Sequence, residues 1–116
     1  MASIINRAQA QSLMQEFRDQ NKAAGDAALK TPAGQNLNGF FIPRETLESI
    51  LSNEKVAGVH VYLAKHPDFT GKPDNVCTVL ASGSEANTEP GATTPYVSTG
   101  EVYDGVPPCP PFCSNL

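Results

Sequence analysis

The stretch VAGVHVYLAK, residues 56–65, decides the fold. Val59, Val61 and Leu63 alternate with His60, Tyr62 and Ala64. A period of two places successive side chains on opposite faces of a strand. VCTVLASG (76–83) reads as a second strand. Between them HPDFTGKPDN (66–75) carries two prolines, a glycine and three Asx residues, so it is expected to be a turn-rich loop. The two strands are predicted to pair antiparallel as a hairpin. Beyond them, SGSEANTEPGATTP (82–95) has almost nothing to bury and is expected to be exposed, with SGSEA (82–86) as a serine-rich turn. YVSTGEVYDGV (96–106) supplies one or two further short strands, with Tyr96 and Tyr103 as half-buried anchors.

Working toward the N-terminus, GFFIPRETLESILSNEK predicts a helix over about 43–53. Pro43 suits its first turn, Leu47, Ile50 and Leu51 form its apolar face, and Glu45 and Glu48 sit near its positive end. Phe40 to Ile42 read as a short strand or an anchor onto the core, and GDAALKTPAGQNLN (25–38) as a linker. A longer helix is expected over about 7–24. Asn6 is its cap and Gln9 the reciprocal capping partner. Ala10, Leu13, Met14, Phe17, Asn21 and Ala24 follow one helix face, with Asn21 alone breaking its apolar character. Such a stripe is expected to be core. The fold class is therefore α+β, with two helices packed on one face of a small antiparallel sheet. Residues 1–106 form one domain and residues 107–116 a proline- and cysteine-rich tail.

Composition narrows the function. Hydrophobic residues make up 40% of the 116 and charged residues 17%, with ten prolines and nine glycines. Both fractions fall below globular averages of about 45–50% and 25%, which points to one compact part and one loop-rich part. Net charge is −4. Residues 1–72 hold all eight Lys and Arg against seven acids, whereas residues 73–116 hold five acids and no base. A nucleic-acid binder needs a basic stripe, and none is visible. The asymmetry suits pairing between the acidic end of one copy and the mixed end of another. No apolar run reaches the roughly 18 residues of a membrane span. The N-terminus MASIINRAQAQSLMQEF lacks the charged and apolar regions of a signal peptide. The expectation is a cytoplasmic protein, with export only by a non-classical route.

The tail PPCPPFCSNL (107–116) raises the remaining chemistry. In a polyproline helix, four steps of about 3.1 Å would hold the α-carbons of Cys109 and Cys113 roughly 12 Å apart. A disulfide needs about 4.4–6.8 Å, so a bond requires a turn, led by a proline or made by a cis peptide. Its small ring would contribute about 2 kcal/mol at most. A structural disulfide, two buried thiols or a contact to another subunit are the readings left open. Catalytic dithiol chemistry needs a neighbouring cation or helix N-terminus, and the sequence neighbours are acidic. Zinc would need His60, Cys77, Cys109 and Cys113 together, with no C-x2-C knuckle to begin the site. Otherwise Cys77 reads as a small core residue and His60 as an ordinary strand residue. No nucleophile elbow or phosphate loop occurs, and Glu45 and Glu48 share a helix face as surface glutamates commonly do.

The segments TLESIL (46–51), VAGVHVYLAK (56–65) and PPCPPFCSNL (107–116), in this order, resemble a family of small uncharacterised bacterial proteins that end in a PCPPxC-type motif. The resemblance covers most of the chain, and the CPPFC ending is its distinctive part. It implies that Cys109, Pro110, Pro111 and Cys113 form a unit. The family has no assigned activity and supplies no catalytic residues. This chain departs from its pattern in the extended loop 84–95.

These observations lead to an expected non-enzymatic structural or interaction protein that self-associates, into an oligomer or a filament, without a cofactor. The CPPFC tail serves as a clasp or a docking element. Phe40, Phe41, Tyr96, Tyr103, Phe112 and Leu116 are the candidate contact residues. The alternative is a thiol-redox or metal-binding accessory acting through Cys109 and Cys113.

Overall fold

Asn6 caps the first helix as the sequence predicts. Its side chain accepts from the Gln9 amide at 2.8 Å while the Gln9 side chain reaches back to the Asn6 amide. Both orphan donors of the helix start are thereby occupied. The computed structural model describes residues 2–65 and 75–116. Helix α1 spans Arg7–Ala23 and gives way to a 3-10 turn at Gly25–Ala27, where Gly25 takes φ 58°. Strand β1 is Gly39–Phe40, helix α2 is Arg44–Leu51, and β2, β3, β4 and β5 are Gly58–Ala64, Thr78–Ala86, Tyr96–Tyr103 and Pro108–Cys109. The predicted turn-rich loop 66–75, with His66, lies outside the described residues except at Asn75. No helix among the described residues is long and apolar enough to cross a membrane.

Strands β2, β3 and β4 form an antiparallel sheet in that order, and β1 pairs antiparallel with β5 in a second sheet. Two helices with antiparallel sheets make the chain α+β, as the sequence predicts. The core is thin. Ile50 from α2 packs with Val79 and Ala81 of β3 and with Val106, and Phe40, Ile42, Val56, Val59 and Tyr103 close around them. Pro43 stands at the N-cap of α2 rather than inside it. Leu51, expected on the buried face of α2, is the last residue of the helix and is exposed, while Ile50 is buried and Leu47 half-buried.

Two sequence expectations need correction. The SGSEA turn is in fact the second half of β3, and Ser82, Gly83 and Ser84 are buried. For Gly83 the physical reason is the close approach of Ile50 and Val56, whereas Ser82 and Ser84 point to the opposite face of the strand. A β-carbon on Gly83 would lie 3.0 Å from Ile50 Cγ2 and 3.1 Å from Val56 Cγ2, so this position of the central strand must be small. The exposed loop shrinks to residues 87–95, closed by the Asn87 amide on Pro95 O. In β4 the register shifts opposite Ser82 and Gly83, leaving Gly100 and Glu101 as an extra pair. Gly100 takes φ 74°, a conformation that suits glycine.

The second correction concerns α1. Its predicted core stripe is largely exposed at Leu13 and Phe17, and Asn21 is its buried residue. The Asn21 side chain accepts from the Leu29 amide at 2.8 Å and donates to the Leu29 carbonyl at 3.1 Å. The polar residue that interrupts the stripe is therefore the one that holds the helix. The segment it grips is no loose linker. Lys30 bridges both Asn36 and Val76, and Ala28, Thr31, Leu37 and Val76 are buried. Replacing Asn21 with Ala leaves the Leu29 amide without its partner, while the Leu29 carbonyl keeps the Leu37 amide at 2.9 Å, and an unsatisfied part-buried donor costs about 1 kcal/mol or more. Thermal unfolding should show a clear drop in midpoint. An Ala variant melting with the wild type would mean that α1 is anchored elsewhere.

Candidate functional site

The tail folds back on the chain. Strand β5 lies beside β1, and the pairing extends through the Asn38 amide on Cys109 O at 2.8 Å and the Phe41 amide on Pro107 O at 2.9 Å. A disulfide joins Cys109 to Cys113 across a Cα separation of 4.9 Å. The required turn is made by cis peptides at Cys109–Pro110 and Pro110–Pro111, with the Phe112 amide on Pro108 O and the Cys113 amide on Pro111 O. At the last residue, Gln11 of α1 donates to the Leu116 carbonyl at 3.0 Å. Each partner is distant in sequence, so the tail bridges α1 and β1 from the far end of the chain.

Beneath the tail runs an apolar cleft of about 320 Å³, lined among others by Pro32, Phe40, Cys77, Val79, Val106 and Pro107. Burial pushes the Cys77 thiol above its ordinary value, against a smaller opposing pull from the Ala64 backbone. Cys77 is the free cysteine, half-buried, in agreement with a packing role. Two outcomes follow. Intact mass without reductant should be two hydrogens lighter than the reduced chain, with one alkylatable thiol. That thiol should react slowly near neutral pH and faster as the solution becomes alkaline. The sign for stability is the same: below the ordinary cysteine value of about 8.5 its contribution is complete. Above it the unfolded chain loses the proton first, so stability falls as pH rises. Three reactive thiols in the native protein would contradict this arrangement.

The other face of the three-stranded sheet carries His60, Tyr62 and Tyr96. The His60 ring stacks on Tyr62 with centroids 5.5 Å apart and meets Tyr96 edge-on at 5.9 Å. Its Nδ1 hydrogen-bonds Ser84 Oγ at 2.5 Å. Sequence reading missed this pair because His60 and Ser84 become neighbours only through the β2–β3 register, where Gly58 faces Ser84. Ser84 is 2% exposed, and no carboxylate among the described residues bonds His60. The contact satisfies a buried hydroxyl.

Of the candidate contact residues, Phe40 and Tyr103 pack against the core, whereas Phe41, Tyr96, Phe112 and Leu116 are exposed. Tyr96 begins β4, Phe41 follows β1 and its amide bonds Pro107 O at the start of the tail, and Phe112 and Leu116 lie in the tail itself. Among the described residues no three His, Cys, Asp or Glu side chains converge as metal ligands, and Cys109 and Cys113 are bonded to each other. The molecule is thus a small α+β chain closed by a disulfide-bonded, proline-rich tail. No protein family, no curated protein and no solved structure matches it.

Proposed function

We propose that this chain is a non-enzymatic structural or interaction protein that self-associates, into an oligomer or filament, with the CPPFC tail as the clasp that closes each subunit. The observation that carries the reading is surplus surface. The chain exposes 8429 Å², against roughly 6,100 Å² for a folded monomer of its length. Its radius of gyration is 16.5 Å, against about 13 Å for a compact domain. Exposed apolar side chains on α1, β2, β4 and the tail account for part of the excess. An isolated subunit taken from an assembly carries an excess of this kind, because surface meant for a neighbour faces water. The division of charge, with every base in residues 1–72, supports contacts between unlike regions of two copies.

Light scattering coupled to size exclusion tests the reading over a concentration series. A mass at or above twice that of the chain, rising with concentration, is the expected result. A constant monomer mass up to high micromolar concentration overturns it.

A further inference from the structure

We infer that β2 is the edge through which two copies of this chain pair, antiparallel, with Val61 on the two-fold axis. The inference rests on the self-association reading above and names the surface that carries it.

The three-stranded sheet has two edges, and they differ. Edge strands left open invite pairing with another chain, and proteins blunt them with charges, prolines or bulges. Strand β4 is blunted by its register shift at Gly100 and by Glu101. Strand β2 carries none of these devices. It pairs with β3 in one unbroken register from Gly58 to Ala64 and has no proline and no charged residue. Lys55 and Lys65, the flanking charges, lie beyond its ends. Its central and C-terminal side chains are apolar and open to solvent, with Val61 46%, Tyr62 51% and Leu63 78% exposed.

The occupant is a second copy because β2 complements itself. Full antiparallel overlap of seven residues puts Val61 opposite Val61 of the second copy. Val59 then meets Leu63, and His60 meets Tyr62, repeating across the interface the ring stacking already present within the strand. No like charges face each other, whereas a self-paired β4 would bring two copies of Glu101 into the contact region. Such an isologous contact closes as a dimer and turns two three-stranded sheets into one of six strands.

Cysteine pairing tests the register in a Cys77→Ser background. Val61→Cys should oxidise to a covalent dimer, because the residue faces its own copy. Leu63→Cys should not, since like residues would then stand four positions apart, about 13 Å, beyond the roughly 4.4–6.8 Å span of a disulfide. In parallel, Val61→Lys should reduce the light-scattering mass to that of a monomer, and Val102→Lys on β4 should leave it unchanged. Circular dichroism confirms that each variant is folded; if Val61→Lys is not, the cysteine pair decides. An oligomer that persists in folded Val61→Lys, or Leu63→Cys crosslinking as readily as Val61→Cys, overturns the β2 assignment and leaves self-association standing. A wild-type chain that stays monomeric overturns both. A monomer whose β2 amides become protected only when a foreign extended peptide is added assigns the edge to that other occupant and likewise overturns the second copy.

Discussion

Ile50→Ala is expected to remove about 3 kcal/mol of stability, the middle of the range for burying a cavity where an isoleucine stood. Ile50 is 5% exposed and is the residue through which α2 enters the core, against Val79, Ala81 and Val106. The helix is eight residues long, too short to persist without this packing. Domains of this size have about 5–15 kcal/mol in total, so the loss is a large fraction. At roughly 4 °C per kcal/mol the melting midpoint should fall by about 12 °C. Urea unfolding should show a lower midpoint with an unchanged slope, the mark of a stability change without a change in the exposed surface. Ile50→Val, which keeps Cγ2, should cost about 0.5–1.5 kcal/mol. A loss below about 1 kcal/mol in the Ala variant would show that α2 is not the lid of this core.

Gly83→Val should destabilise by about 1–3 kcal/mol through the opposite fault, overpacking. The position of the missing β-carbon lies 3.0 Å from Ile50 Cγ2, and the γ-methyls of valine would press further into α2. Strand β3 is held by β2 on one side and β4 on the other, so it has little freedom to retreat. Gly83→Ala should be milder, because the loss of glycine's freedom in the unfolded chain returns about 0.4–1 kcal/mol. The two sites must couple. In the double variant Ile50→Ala with Gly83→Ala, the closer of the two obstructing methyls is gone, Val56 Cγ2 remains, and the new methyl partly fills the cavity. The double variant should be more stable than the sum of the singles predicts, by about 0.5 kcal/mol or more. Strict additivity in a denaturant cycle would mean that the two side chains do not share this space.

The parts of the fold that were legible are those governed by neighbours within a few residues. The Asn6–Gln9 capping box spans three positions and was readable as it stands. The alternation in 58–64 marked β2, and the prolines between Cys109 and Cys113 announced that any disulfide would need a turn. Illegible were the elements defined by a distant partner. β1 and β5 are two residues each and exist only because positions about 70 residues apart align. Ser82 to Ser84 looked like a turn because small polar residues usually are, yet here they belong to β3, with Gly83 making room for Ile50 and Ser84 bonding His60 on the opposite face. Asn21 looked like a flaw in an apolar stripe, and its partner Leu29 sits in a segment whose bonds are isolated bridges with no periodicity to read. The cleft over Cys77 joins β1, β3 and the tail, so no single stretch of sequence describes it.

The sequence by itself determined the α+β class, the first helix and its cap, the hairpin strand and the turn demanded of the tail. Each follows from backbone periodicity or short-range hydrogen bonding, which act between residues close along the chain. Only the tertiary structure decided which apolar faces are covered. Leu13 and Phe17 of α1 look like core residues in sequence and lie open, while Ser82 and Ser84 look like surface and are buried. Burial depends on what arrives from elsewhere in the chain, and a hydrophobic pattern records that a face can be buried without naming what buries it.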